Sequence, residues 1–555
     1  MEKRTLLAFV LSLIVLVGWA LLAQKQAPLD TIKEESHQTE NTSLPQPETG
    51  PYQEPLSPDI RENGISKPEP APILEKEIKV ETPLYIAIFS NRGPTIKSFK
   101  LKEYFVNQEP NSPLIELANL QDNRQDFITI HFDTQSNLKD TDSIYDVDED
   151  AILLNPSSPA KNLTFARTRS DGISIRKTFR FQPDSYPIET QITLSNESQY
   201  QISGNIRTSI KNLPPQDKDS YYAFNGAALF LDDDLEEIKP KKMEEEKRLT
   251  GKIDWVAYEN GYFISAVLPK EKNQGSFIGR LLPSGTVEAS YVEPPINLRP
   301  LENASSHFML YIGPKDVSIL KQAGGKLDRA INFGYVDIIA RPLHFTLLWF
   351  NKYVHNYGLS IIILTILIKI LFWPLTHKSF KSMKEMQKIQ PLMAKIREKH
   401  KNNREQMQRE LMGLYKTYKI NPMGGCLPIL IQLPVFFALF RILGNSIELR
   451  HAPFMLWITD LSAPDRLFHF DISYIPFMAK PYGIPVLTLL MGASMFLQQK
   501  MTPTPGDPAQ AKVMMLLPII FTVMFINFPS GLVLYWLINN ILSIGQQYRI
   551  KKRSA

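Results

Sequence analysis

One lysine inside an otherwise apolar run carries the first chemical information in this chain. Residues 361–376 read IIILTILIKILFWPLT, and Lys369 is the one ionisable side chain among them. In the span expected at about 357–376 it falls about 12 residues in and about 7 from the far end, roughly 10 Å deep at 1.5 Å rise per residue. An ammonium facing lipid at such depth costs ~2.5–3.5 kcal/mol on insertion scales, so the group is expected to face protein or water. The alternative is snorkelling, in which the four-carbon stem lifts the charge toward the headgroups. Thr365 lies four residues earlier on the same helical face, which gives that face a polar stripe and favours the inward reading.

Two further apolar stretches carry polar groups. In NPMGGCLPILIQLPVFFALF, 421–440, Gln432 sits between Pro428 and Pro434. Each proline removes a backbone donor and tends to kink the helix. In SGLVLYWLINNILSIGQQYR, 530–549, Tyr535, Asn539 and Ser543 recur at spacings of four, with Trp536 and Asn540 on the adjacent strip. One polar face on each of several helices is what a shared hydrophilic groove requires. It is equally what interhelical hydrogen-bonded packing requires, and the residues alone leave both readings open.

Enzyme chemistry finds no foothold. No nucleophile–base constellation is recognisable, and the nine histidines are scattered without the spacing of a zinc site. A single cysteine, Cys426, excludes an intramolecular disulfide and a tetrathiolate metal centre. No catalytic residue, metal or cofactor is therefore expected. The formal net charge of +5 is too small to indicate a DNA-binding protein.

The charge is instead concentrated. Segment 377–421 holds twelve Lys/Arg against four Glu. Within it Met383, Met386, Ile389, Met393 and Ile396 recur at helical spacing, as do Met407, Leu411, Leu414 and Tyr418, with Asn402-Asn403 between them. This pattern predicts an antiparallel helical hairpin with a Met-rich seam and basic flanks. Such a hairpin either rests on anionic headgroups or docks varied apolar partners, for which methionine is suited.

The elements that position these groups follow from the texture of the chain. Residues 6–22 are an uncharged run preceded by Lys3 and Arg4. A cleavable signal peptide is one reading, but cleavage after Ala23 would place bulky Leu21 where a small residue is needed, so 1–23 reads as an uncleaved transmembrane anchor. Residues 24–75 contain nine prolines and few large apolar groups, the composition of a disordered linker. From 76 to 330, alternating runs such as LYIAIF at 84–89, FITIHF at 127–132, ISIRKTFRF at 173–181 and IETQITL at 188–194 predict a large all-β sandwich. The charged stretch Asp232–Lys247 interrupts it and reads as a solvated loop or exposed helix. Residues 331–355 form an amphipathic interfacial helix. A transmembrane helix is expected at 356–376, the basic hairpin at 377–421, four more spans within 422–549, and a basic tail at 550–555. The fold class is thus an α-helical polytopic membrane protein with six transmembrane helices and an all-β domain. The loop 447–481 has three Lys/Arg. The positive-inside rule therefore places the hairpin and both termini in the cytoplasm and the β domain outside, in the periplasm of a bacterium.

Several long motifs occur in an order that is specific. NPMGGCLPILIQLPVFFALF, the loop SIELRHAPFMLWITDLSAPD at 446–465 and the turn FPSGLVLYW at 528–536 closely resemble the bacterial YidC branch of the YidC/Oxa family of membrane protein insertases. The resemblance covers about 331–549. It is weaker over the β domain, where DWVAYENGYFISAVLP at 254–269 and YIGPK at 311–315 are similar to the periplasmic domain of Gram-negative members. The resemblance implies a groove open to cytoplasm and lipid, which takes up a client's hydrophilic segment while the client's apolar helix enters the bacterial inner membrane. The matching groove positions are Lys369, Thr365, Gln432, Tyr535, Trp536 and Ser543. Implied partners are nascent membrane proteins, the Sec translocon beside an independent mode, ribosomes or targeting factors at the hairpin, and anionic lipids. The best-known members carry arginine where this chain has Lys369, so a positive charge is kept while a bidentate fork is lost.

Overall fold

A computed structural model describes residues 75–120, 126–134, 143–215, 224–271, 274–418, 427–470, 472, 475, 478–502 and 508–552. The expected anchor at 1–23, nearly all of the linker, Cys426 and the end of the basic tail lie outside the described residues.

The alternating runs form two packed sheets. One runs, in order of pairing, through Ala151–Leu153, Glu77–Glu81, Tyr85–Ser90, Thr95–Phe105, Ile128–Thr134, Ile202–Asn212, Val287–Val292 and Gln274–Leu281. The other runs from Lys161–Thr168 through Ile173–Phe181, Pro187–Asn196, Asn303–Pro314 and Phe263–Pro269. The long strand Lys247–Glu259 belongs to both, pairing through its first half with Gln274–Leu281 and through its second with Phe263–Pro269 and Gly226–Leu231. Period-two burial is nearly perfect in Ile173–Phe181 and Pro187–Asn196, so every second side chain enters the space between sheets. Fully buried Lys177 crosses that space and donates to the carbonyls of Ile130 (2.6 Å) and Gly93 (3.2 Å) on the opposite side.

The stretch Asp232–Lys247 departs from expectation. Leu231 pairs with Asp234, and the strand Asp234–Ile238 returns along Gly226–Leu231 as a β-hairpin. Asp232 and Asp233 form its two-residue turn at φ 50° and 71°, the backbone that a right-twisted hairpin needs and that aspartate tolerates. Charge density had disguised the turn and its short alternating strand.

Nine α-helices follow among the described residues: α1 Val317–Ala323, α2 Asp337–Val354, α3 Tyr357–Leu371, α4 Trp373–Lys399, α5 Arg404–Thr417, α6 Leu427–Asn445, α7 Val486–Met501, α8 Pro508–Phe525 and α9 Ser530–Lys552. No single described helix is by itself long and apolar enough to cross a membrane; α3 and α4 meet that requirement jointly but meet at a 65° bend. The bend has a covalent cause, because Pro374 sits in the first turn of α4 and cannot donate to the ladder of α3. Lys369 is consequently in the last turn of α3, where its charge complements the helix dipole.

Helix α2 buries Ala340, His344 and Leu347 and exposes Ile338, Phe345, Trp349 and Tyr353 along the opposite side. In the α4–α5 hairpin, Ile389 and Met393 are buried against Met386, Leu411, Leu414 and Tyr415. Tyr418, expected in that seam, is exposed. It lies just past the end of α5 as its C-cap, and Tyr415 fills the seam with its hydroxyl 3.9 Å from Met393 Sδ.

The β domain and the helices meet at polar contacts. Arg450, in the segment after α6, donates to the carbonyls of Phe105 (2.6 Å) and Val106 (3.1 Å) and lies over the rings of Tyr262 and Phe263. Gln108 reaches back to the carbonyls of His451 and Thr459. At the end of the shared strand, fully buried Glu259 pairs with Lys315 at 2.8 Å. Burial pushes the Glu259 carboxyl above its ordinary range, and the Lys315 ammonium opposes that rise.

Replacing Lys315 by methionine therefore leaves an unpaired buried carboxylate and is expected to cost ~3–5 kcal/mol at neutral pH. With the folded-state value raised above the unfolded one, the folded domain holds a proton that the unfolded chain releases. The variant's deficit should then shrink as pH falls toward the ordinary glutamate value. Thermal unfolding of wild type and Lys315→Met across pH checks this, and a deficit independent of pH would refute it.

Candidate functional site

Helix α9 sets the geometry of the polar groups. Its start is held by the loop that follows α6: Ser530 Oγ donates to the Asp460 carbonyl at 2.7 Å, and the Gly531 amide donates to the Leu461 carbonyl at 3.0 Å. Its apolar residues Leu532–Leu534 are buried, and polar side chains then appear on successive turns, each meeting a different helix.

Toward α3, Lys369 Nζ donates to Ser543 Oγ at 2.6 Å and to Asn539 Oδ1 at 3.5 Å. Ser543 in turn donates to the Asn539 carbonyl at 2.7 Å, which leaves its lone pairs directed to the ammonium. Among the described residues no carboxylate lies within ion-pair distance of Lys369, so its charge is held by neutral oxygens and remains uncompensated. Toward α6, the Tyr535 hydroxyl faces the Gln432 side chain. Toward α7, Asn540 Nδ2 donates to Ser494 Oγ at 2.9 Å. Toward α4, Gln546 Nε2 donates to Thr376 Oγ1 at 3.1 Å.

Of the six groove positions expected from sequence, the structure joins Lys369 with Ser543 and Gln432 with Tyr535. Thr365 is buried, but its hydroxyl is turned onto the Ile361 carbonyl at 2.6 Å, so it closes its own helix and makes no bond to Lys369 in this arrangement. Trp536 stands in an aromatic cluster, its ring centroid 5.0 Å from that of Phe436, 5.2 Å from Phe525 and 6.0 Å from Phe521. The Thr376–Gln546 pair was not anticipated. Gln546 extends the polar line of α9 by one turn beyond Ser543, and that continuation was its signal.

The arrangement holds one positive charge on neutral oxygens at the end of α3, with amides and hydroxyls on either side. It offers electrostatic attraction and hydrogen bonding to a passing polar or acidic group.

Comparison with known proteins gives the family. Residues 349–555 match the family described as 60Kd inner membrane protein, and residues 77–346 match the YidC periplasmic domain. The chain is 43% identical over its full length and that of the relative to membrane protein insertase YidC of Syntrophus aciditrophicus. It is 41% identical to the YidC of Syntrophobacter fumaroxidans, again over the full length of both. Against that of Geobacter sulfurreducens it is 40% identical over all of this chain and 98% of the relative.

The pairs along α9 are expected to couple energetically, by ~0.6 and at most ~1.7 kcal/mol for Asn540–Ser494 and for Gln546–Thr376. Double-mutant cycles to alanine, read by unfolding in mixed micelles, measure this. Zero coupling at both sites would mean that the pairs do not bind the helices together. With a β-rich domain that matches the periplasmic domain and a helical part that matches the inner-membrane protein, the chain belongs to the YidC family of membrane protein insertases.

Proposed function

We propose that the chain inserts and folds integral membrane proteins in the bacterial inner membrane, alone or beside the Sec translocon, through a hydrophilic groove bearing the single positive charge of Lys369. The groove is formed by Lys369, Thr365, Gln432, Tyr535, Trp536 and Ser543. The chain crosses the membrane six times, at 6–22 and at about 357–376, 425–446, 482–499, 512–528 and 530–547. Both termini and the α4–α5 hairpin are cytoplasmic, the β domain is periplasmic, and α2 lies at the interface. The function involves no covalent chemistry.

The observation that carries this reading is an ammonium held only by neutral oxygens. A lysine paired with a carboxylate would be closed to an incoming anion, whereas Lys369 keeps its charge for one. Polar groups along the client's path replace part of the water that its hydrophilic tail gives up, and so lower the desolvation barrier. The basic hairpin delivers clients, from ribosomes or targeting factors, and its flanks attract anionic lipids.

Lys369→Arg should preserve insertion of short-tailed clients in reconstituted vesicles, while Lys369→Glu should abolish it for acidic tails. Equal activity of the three proteins would sink the role of the charge. Deleting 384–412 should impair co-translational insertion with the remaining helices still folded, and undiminished insertion would remove the hairpin from the pathway.

A further inference from the structure

The loop Asp460–Arg466 captures three helix ends at once, and two adjacent residues in it carry opposite charges to opposite helix poles. Asp465 is buried, and its Oδ2 accepts from the Leu487 amide at 2.5 Å and the Thr488 amide at 3.4 Å, while Oδ1 accepts from Trp457 Nε1 at 2.6 Å. A carboxylate from outside α7 thus caps the start of α7, whose own preceding residue is Pro485 and supplies no cap. Arg466 Nη1 donates to the Ile526 carbonyl at 2.8 Å, directly after α8, and Nη2 to Asn527 Oδ1 at 3.2 Å. Negative charge at a helix start and positive charge at a helix end both complement the backbone dipole, and both bonds are charge-assisted.

The α7–α8 hairpin is therefore fastened at the end where α7 begins and α8 stops. Other fastenings fall in the same half. Gly492 meets Thr522 so closely that a Cβ on it would collide with the threonine side chain, and Phe521 and Phe525 hold α8 to Trp536 of α9. The other half is different. Gln499 Nε2 on α7, and both amide atoms of Gln547 on α9, are buried with no hydrogen-bond partner, against the single hydroxyl of Thr488 at the clamped end. Buried unpaired amides are costly, and the cost is relieved when the helices part and water or a polar chain enters. Met515 and Leu516 of α8 are exposed there, and the exposed apolar line runs on through Ile519, Ile520, Val523 and Met524 to the clamped end, as a lipid-facing surface would.

We propose that Asp465 and Arg466 are positioning residues that clamp one end of the α7–α8 hairpin, so that it swings open only at the Gln499 end, and that this swing is the lateral exit for a client's apolar helix. The last clause rests on the insertase reading; the hinge itself does not.

The test uses the full chain in nanodiscs with Cys426→Ser and spin labels on cysteines at two levels of α3 and α8. The pair Leu359→Cys and Val523→Cys reports the clamped end, and Ile370→Cys with Met515→Cys reports the free end. The probe is a synthetic peptide with one apolar helix and a short acidic tail. Electron-resonance distances should be narrow and unmoved by the peptide at the clamped end, but broader and lengthened by it at the free end. In Asp465→Ala the displaced population at the clamped end should rise about tenfold, the scale of losing a charge-assisted hydrogen bond, and client insertion should fall with it. Arg466→Lys, which keeps the donor and charge, should restore most of the wild-type distribution relative to Arg466→Gln. A clamped end already as broad as the free end, or unchanged in both Asp465→Ala and Arg466→Gln, would overturn the hinge. If the distances behave as expected but the wild type inserts no client in vesicles, the hinge stands and the insertase reading fails.

Discussion

A charge taken out of water must be held by something, and the bond from Lys369 to Ser543 is where this molecule meets that demand. The requirement fixes more than one contact. For Ser543 and Asn539 to reach the ammonium, α9 must lie along the last turn of α3 with that strip turned inward. Once it does, the same helical rotation directs Asn540 to α7, Gln546 to the start of α4 and Tyr535 to α6. One hydrogen bond thus sets the azimuth of the helix that the others gather around. Apolar packing between helices in lipid has little directional preference of its own, so the polar residues supply the register.

The bend between α3 and α4 matters for the same reason. Were the ladder continuous through Phe372, Lys369 would sit inside a longer helix with its neighbouring carbonyls already satisfied. Pro374 ends that ladder, and the charge comes to rest at the negative pole of α3. Its cost is reduced without a carboxylate partner. A carboxylate would have lowered the cost further and cancelled the field around the ammonium.

Much of this was legible in the residues and some was not. The strands at 173–181 and 187–196 are visible because period-two burial leaves a direct mark on side-chain polarity. Lys369 and the Tyr535–Asn539–Ser543 line were visible because polar groups are conspicuous against an apolar background. The hairpin at 226–238 was hidden, since Asp232 and Asp233 read as solvated charge when their value lies in a positive φ. Tyr418 fitted the helical period but stood one residue beyond the helix, a boundary that periodicity does not see. The joining of Asp465 to Leu487 and of Arg466 to Ile526 spans tens of residues of sequence, and no local pattern announces a cap delivered from so far away. Thr365 is a different case: its type and position fit a polar stripe, and the acceptor its hydroxyl has in its own backbone is not something spacing reveals.

The strand Lys247–Glu259 contributes to both sheets of the β domain, so the two layers are not separate leaves that can be peeled apart at a shared edge. Its far end carries Glu259, locked to Lys315, and Lys315 leads directly into the chain that enters α1 and α2. A pull on the helices is therefore transmitted along the chain into Asn303–Pro314, a strand paired on both sides, and through the Glu259–Lys315 ion pair into Lys247–Glu259, loading many backbone hydrogen bonds in shear rather than one at a time. Under such a load the domain answers as one stiff body, because the strand that joins its two layers also meets the root of the helices.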